Sequence, residues 1–433
     1  MTRRTRYLLI TIGFAIFLIL APLLVLYVRG IHFDFQSRQF ISTGIIAIQT
    51  DPKNPDIFLD DQLARTKDGD IKFLEPGEYT VSVKKDGYFS WSKRLTVKEN
   101  QVTWASPVPN ALHLFLKDQP TQDLHAGVDD FQFLGSRLAV AASGTLIIAP
   151  LDRPNEAETA ALPKPVKRMI VSPNQETIIL TGDAAAGSAP AVLAYSARTK
   201  QVSDISSLFS VQPDLQFSGN NTLFDLEAGR LYAVNPAART KKQVLDGVKA
   251  YALMQNNLYF VRAAASGTML FVSGEDGKNA QELSAGLPDF RAGSLFVNYE
   301  KQVFLLADQS LYKINAAAEK VADNVTDTYF DPNNSTFMFI HGGEVSNYNF
   351  ASQRVDFVTR SSDAVKNPVL QQNMSFAFMA KGNNITGLEL DLRDRQNEYA
   401  FYQGTNLQKF LLDSDAGHLY ILDDGELKSV KIR

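Results

Sequence analysis

The chain has 433 residues, 45% of them hydrophobic and 21% charged, with a formal net charge of −4. This is the composition of a folded globular protein, and the length calls for more than one core. Cysteine is absent, which excludes disulfide staples, thiolate nucleophiles and Cys-ligated metals.

Residues 7–28 carry no charge. At ~1.5 Å per residue a helix of that length covers a ~30 Å hydrocarbon core, so a transmembrane helix is expected over 7–28. Arg3, Arg4 and Arg6 precede the run without an acidic residue, which assigns residues 1–6 to a cytoplasmic tail and the bulk of the chain to the extracytoplasmic side. A cleaved secretory signal has a shorter apolar core ending at a small-x-small site; here the run continues through Leu23-Leu24-Val25-Leu26-Tyr27-Val28 without one. A lipoprotein would need a cysteine. The N-terminus therefore reads as an uncleaved single-pass anchor in the cell membrane, contacting the lipid bilayer through residues 7–28, with 29–43 as a juxtamembrane connector. Setting aside residues 1–30 removes four Arg and no acid, leaving 39 basic against 47 acidic residues, a net of −8. No basic run suited to phosphates remains, so nucleic acid is not expected as a partner.

Strand alternation and turn signals follow. Gly44-Ile45-Ile46-Ala47-Ile48-Gln49-Thr50 is apolar and β-branched and stops at Asp51-Pro52, because Pro cannot donate to a ladder. Ile57-Phe58-Leu59 meets a hairpin tip at Asp60-Asp61. Leu74-Glu75-Pro76-Gly77-Glu78 turns into a strand in which Tyr79, Val81 and Val83 alternate with Thr80, Ser82 and Lys84. Lys85-Asp86-Gly87-Tyr88 turns the chain again before Trp91 and Leu95-Thr96-Val97. A β-sandwich of about 60 residues is expected over 44–106.

This run resembles a PEGA domain. The marks are the opening Gly-strand-Thr50-Asp51-Pro52, Ile57-Phe58-Leu59-Asp60, Pro76-Gly77-Glu78-Tyr79, and Gly87-Tyr88 followed by Trp91. The eponymous Pro-Glu-Gly-Ala is replaced by Pro52-Lys53-Asn54-Pro55, and Asp61 stands where the family turns on Gly; both departures sit in turns. The resemblance implies an envelope-associated surface module beside a membrane anchor, and no catalytic residue.

The larger part of the chain repeats one phrase: a short apolar strand, a polar turn, then a second apolar strand. It reads FQFLGSRLAVA from Phe131, MIVSPNQETIIL from Met169, LQFSGNNTLFDL from Leu215 and ALMQNNLYFV from Ala252. It continues as LFVNYEKQVFLL from Leu295, YFDPNNSTFMFI from Tyr329, VLQQNMSFAFMA from Val369 and FLLDSDAGHLYIL from Phe410. Each is followed by a third apolar strand, such as Leu231-Tyr232-Ala233-Val234-Asn235, and by a more polar fourth, such as Gln353-Arg354-Val355-Asp356-Phe357. Four strands every ~40 residues is the period of a β-propeller blade. The eighth repeat stops after its third strand, so Ala111-Leu112-His113-Leu114-Phe115-Leu116-Lys117 is expected to complete it and close the ring, removing two open edges. The fold class is therefore all-β with one N-terminal transmembrane helix, a PEGA-like sandwich and a β-propeller over 111–433 of eight blades, with seven the alternative. The Ser172-Pro173-Asn174 and Asp331-Pro332-Asn333 turns resemble those of TolB-like and WD-type propellers, without the Trp-Asp signature itself. That likeness implies the fold and a tendency to bind proteins or glycans. Pro107 and Pro109 flank a short linker between the two parts.

Candidate chemistry is sparse. His32, His113, His125, His341 and His418 stand singly, without metal-ligand spacing. There is no Gly-x-Ser-x-Gly elbow, phosphate loop or dinucleotide fingerprint. Glu275-Asp276-Gly277 and Asp423-Asp424-Gly425 pair acids, but Asp-Gly is what hairpin turns use. Sequons at Asn220, Asn324, Asn333, Asn373 and Asn384 are of the kind an Asn-rich chain carries by chance. Residues 184–190, Ala-rich and ending in Pro190, read as a surface loop inserted in the second repeat. No catalytic, cofactor-binding or metal-binding residue is assigned. The expectation is a membrane-anchored binding or scaffold protein of the cell envelope whose propeller recognises a protein or polysaccharide partner. A cell-wall glycan-acting enzyme with its site in the propeller channel and a structural subunit of an envelope complex are the alternatives.

Overall fold

The structure, a computed structural model, describes residues 3–28, 31–34, 39–64, 66, 69–106, 111–183, 189–264, 267–331, 336–371, 375–413 and 417–433. Pro107, Pro109, residues 184–188, Pro332, Asn333 and Asn373, all singled out in the sequence, lie outside these. The apolar N-terminal run forms helix α1, Arg3–Val28. Among the described residues no helix is long and apolar enough to cross a membrane. The helical state expected of this segment is present. A hairpin, Ile31–Asp34 with Gln39–Ser42, follows α1 within the expected connector.

Next come two packed sheets. One joins Val102–Trp104, Gly44–Ala47 and Ile71–Leu74; the other joins Gln62–Leu63, Asp56–Leu59, Gly77–Lys84 and Trp91–Val97. Ile46, Ile57, Val81, Val83, Trp91, Leu95 and Val97 fill the space between them. The alternation expected of Tyr79, Val81 and Val83 holds except at Ser82, which is buried too and whose hydroxyl meets Ser92 Oγ at 2.9 Å. Asp60 and Asp61 both take positive φ at the hairpin tip, where short acidic residues tolerate the left-handed region.

Beyond residue 120 the described chain forms eight four-stranded antiparallel meanders. They span 128–161, 168–204, 215–246, 248–287, 293–322, 325–360, 365–403 and, for the eighth, 407–431. Every repeated phrase in the sequence is the first hairpin of one blade. The second strands, such as Thr177–Gly182 and Thr336–His341, are buried along nearly their whole length because neighbouring blades cover both faces. Outer strands such as Thr240–Asp246 stay largely exposed and polar. Successive blades share apolar clusters all the way round. Tyr420 and Leu422 of blade 8 join blades 1 and 2, and Ile179 with Leu223 joins 2 to 3. Phe224 with Phe260 joins 3 to 4, Val261 with Leu305 joins 4 to 5, and Phe304 with Phe337 joins 5 to 6. Met338 with Met379 and Phe378 with Ile421 complete the circuit through blades 7 and 8. The ring is closed with eight blades.

The closing strand corrects the sequence reading. Blade 8 is completed by Thr121–His125, paired antiparallel with Glu426–Lys431, and not by residues 111–117. The earlier segment serves the sandwich: Leu112 and His113 pair in parallel with Thr50 and Asp51, while Phe115 enters the core between blades 7 and 8. Both segments needed a partner, and Thr50–Asp51 offered a free edge to the one that reaches it first.

Candidate functional site

Strand Trp91–Val97 alternates strictly, so Trp91, Lys93, Leu95 and Val97 all face inward. A lysine in that register needs an anion, since burying an unpaired ammonium is costly. It finds two in blade 7. Lys93 Nζ lies 2.9 Å from Glu389 Oε2 and 3.3 Å from Asp391 Oδ2, with both partners' side chains almost wholly buried. The same ammonium donates to the Asp391 carbonyl at 2.8 Å. Trp91 Nε1 donates to Glu389 Oε1 at 2.9 Å, and Asn397 Nδ2 donates to Oε2 at 2.7 Å. Arg393 grips Asp391 through Nε at 3.0 Å and Nη2 at 2.7 Å, and reaches the sandwich carbonyls of Trp104 and Ala105 at 2.8 Å each. Burial pushes the Asp391 carboxyl up, but the Arg393 and backbone hydrogen bonds and the Lys93 charge outweigh it and hold the group below its ordinary value. Arg94 N–H donates to Asp394 at 2.8 Å and Tyr399 OH to the Ser90 carbonyl at 3.2 Å. Burial, reinforced by the charge of Glu389, raises the Tyr399 phenol, which stays protonated.

Aromatic rings extend this contact. Phe89 of the sandwich stacks on Tyr399 at 4.9 Å, and Phe115 meets Phe376, Phe378 and Phe401 edge-on at 4.8, 5.8 and 5.3 Å. Gly387 makes room, since a Cβ there would stand 2.7 Å from the Phe401 ring. The junction's buried charges are matched, its protons and lone pairs are used internally, and its chemistry is that of attachment.

A second constellation lies on the innermost strands, where the first strands of neighbouring blades run side by side. Asp130 accepts N–H from Met169 of blade 2 at 2.7 Å and the Lys409 ammonium of blade 8 at 2.6 Å. Asp327 accepts N–H from Asn367 of blade 7 at 2.7 Å, and Lys249 of blade 4 pairs with Asp289 in the connection from blade 4 to blade 5. A bulge precedes or includes the charged residue in each of these first strands, at 128/130, 248/250, 325/327 and 407/409, turning it toward the next blade. Burial, then the neighbouring Asp130, raises the Asp129 carboxyl, and burial raises Asp214. These charges stitch blade to blade.

The residues singled out in the sequence are dispersed. His32 lies in Ile31–Asp34, and His113 Nδ1 sits 3.4 Å from Asp51. His125 and His418 both fall in blade 8, and His341 Nε2 is 3.0 Å from Ser346 Oγ in blade 6. Among the described residues no three His, Asp or Glu form a group that could hold a metal. Glu275-Asp276-Gly277 forms the third turn of blade 4, with Gly277 at φ +74 and Asp276 accepting Lys278 N–H at 3.0 Å. Asp424 and Gly425 turn blade 8 as expected, but Asp423 is buried and accepts Tyr402 OH at 2.8 Å and Asn406 N–H at 2.7 Å from blade 7 and its connection. Asn220, Asn324 and Asn384 stand in or beside turns; Asn174 N–H meets Asn221 at 2.8 Å, tying the first turns of blades 2 and 3. Sequence reasoning missed Lys93, Glu389, Asp391 and Arg393. Lys93 carried a signal, being a lysine on the apolar face of an alternating strand.

The architecture defines a class: a small β-sandwich fixed to one side of a closed eight-bladed β-propeller. Residues 43–110, the sandwich part, match the family model of the PEGA domain. No curated protein matches the chain. Among solved structures, it is similar to a eukaryotic initiation factor at 12% identity and TM-score 0.48, covering 77% of this chain and 87% of that one. A Porphyromonas gingivalis dipeptidyl peptidase 4 also matches at 12% identity and TM-score 0.48, over 70% of this chain and 56% of the other. The β-propeller domain of the Trilobed protease from Pyrococcus furiosus matches at 8% identity and TM-score 0.41, over 64% and 93%.

Proposed function

We propose that this is a membrane-anchored, extracytoplasmic scaffold whose propeller recognises a protein or polysaccharide of the cell envelope. The anchor reading is supported by the uncharged run 7–28 and by how its side chains lie. Ile16, Phe17, Leu18, Ile19 and Leu20 are five consecutive residues, each at least 50% exposed. At ~100° per residue they cover every face of α1, and a helix apolar all round needs an apolar surrounding. Three arginines before the run favour a cytoplasmic N-terminus.

The observation that carries the binding reading is the side on which the sandwich docks. In each meander the first and third turns leave one end of the blade; the second turn and the link to the next blade leave the other. The sandwich holds the third turn of blade 7, at Glu389 to Asn397, and the residue after the third strand of blade 8, Ile432. It therefore occupies the first-turn side, and the second-turn side faces away from it. That free face, carried by a rigid base, is the surface offered to a partner.

Because the chain has no cysteine, introduced thiols are unique probes. Lys278→Cys in intact cells is expected to react with a membrane-impermeant maleimide, and Thr2→Cys only after lysis; the reverse pattern would sink the orientation. Photo-crosslinkers at the second-turn positions Ser143 and Asp424 are expected to trap an envelope component, while those at the first-turn positions Asn256 and Tyr299 do not. Adducts confined to the latter pair, or none at all, would overturn the binding face.

A further inference from the structure

We infer that docking of the sandwich and closure of the propeller ring are one cooperative event, so that the sandwich is the latch of the ring. The chain path carries the argument. The ring is closed by the short strand Thr121–His125, whose pairing with blade 8 is interrupted by a bulge between Asp123 and His125. A short, irregular, polar strand is a weak clasp by itself. Immediately before it, residues 111–117 are held from both sides. Leu112 N–H donates to Gln49 O at 2.7 Å and Leu114 N–H to Asp51 O at 2.9 Å in the sandwich. Phe89 N–H donates to Phe115 O, and Lys117 N–H to Gly87 O, both at 2.9 Å. On the propeller side, Leu116 N–H donates to Ile432 O at 2.9 Å, and Arg433 Nη2 lies 3.1 Å from Asp51 of the sandwich.

Only residues 118–120 separate the last of these anchor points, Lys117, from the clasp strand. So short a tether keeps the effective concentration of the strand at its slot high, as long as the sandwich stays on blade 7. When Lys93 and Trp91 release blade 7 and Arg393 releases the Trp104 and Ala105 carbonyls, residues 111–117 leave with the sandwich and the clasp is no longer held at its slot. The lock on blade 7 and the clasp on blade 8 are then two halves of one closure. Coupling of this kind is reciprocal: docking favours closure by the same factor by which closure favours docking. The inference does not depend on the membrane reading.

Hydrogen exchange on the full chain tests it in both directions. In Lys93→Met, peptides covering 118–125 and 426–432 are expected to exchange about 10-fold faster or more, while those of blades 3 to 5 keep the parent rate. In Gln122→Pro, which removes a ladder donor from the clasp, the peptide covering 89–97 is expected to accelerate by a similar factor and the Trp91 emission to shift to the red. Asp394→Ala, which removes the acceptor for Arg94 N–H and the exposed partner of its guanidinium at the junction's edge, gives a smaller effect with the same pattern. It decides the matter if Lys93→Met unfolds the whole chain. A sandwich that loosens while the clasp keeps its exchange rate, or a clasp that opens under an unmoved Trp91, would overturn the inference.

Discussion

The junction with the sandwich and the inner ring of the propeller both join neighbouring units with charges, yet they do so under opposite conditions. At the junction Lys93, Glu389 and Asp391 are almost fully withdrawn from water, and each unsatisfied valence is met by Trp91, Asn397 or Arg393. On the inner strands Lys409 keeps partial exposure, and much of the work is done by backbone N–H groups of the next blade meeting Asp130 and Asp327. The difference teaches where one substitution does damage. A buried pair tolerates no missing member, because the survivor stays charged and dry, whereas a ring held at several separate joints spreads the loss.

Breaking this contrast starts at its strongest point. Lys93→Met should destabilise the docked state by about 3–5 kcal/mol, read by urea unfolding with Trp emission. Changing Lys93, Glu389 and Asp391 together to apolar residues of similar size should recover most of it, and a triple variant as unstable as the single one would refute the buried-charge explanation. The junction should also loosen in acid. The Asp391 pKa is depressed in the folded state, so its contribution is complete above the ordinary value of 3.8 and is lost as pH falls below that toward the folded pKa. Junction-peptide exchange that is flat from pH 5 to pH 2 would contradict this.

The inner ring sharpens the comparison at lower amplitude. Asp130→Ala leaves Met169 N–H without its acceptor and should cost about 1–3 kcal/mol in thermal or urea unfolding. Tyr402→Phe removes one hydroxyl from the Asp423 staple between blades 7 and 8 and should cost about 0.5–1.5 kcal/mol. Arg153→Ala breaks exposed contacts to Asp152 and Glu156 and should change stability by less than about 0.5 kcal/mol. If Arg153→Ala approached Lys93→Met in effect, burial would not be what separates the two kinds of joint.

Elements built from local patterns could be read from the sequence. Eight hairpins were legible because each is an apolar strand, a turn and a second apolar strand within a dozen or so residues, repeated at a fixed period. The sandwich was legible from alternation and from Pro76-Gly77 and Asp86-Gly87 turns. The closing strand was misplaced because Thr121-Gln122-Asp123-Leu124-His125 is an outer strand, and outer strands carry no apolar pattern to distinguish them from a loop. The inner staples were hidden for another reason: Asp130 and Met169, or Asp327 and Asn367, occupy matching places one repeat apart, and only a closed ring makes such places neighbours. Lys93 stood on an apolar face, a sign that an anion must exist. That its anions are Glu389 and Asp391, some three hundred residues away in sequence, was decided by the tertiary structure alone, because a buried charge states a need and only the packed fold says what meets it.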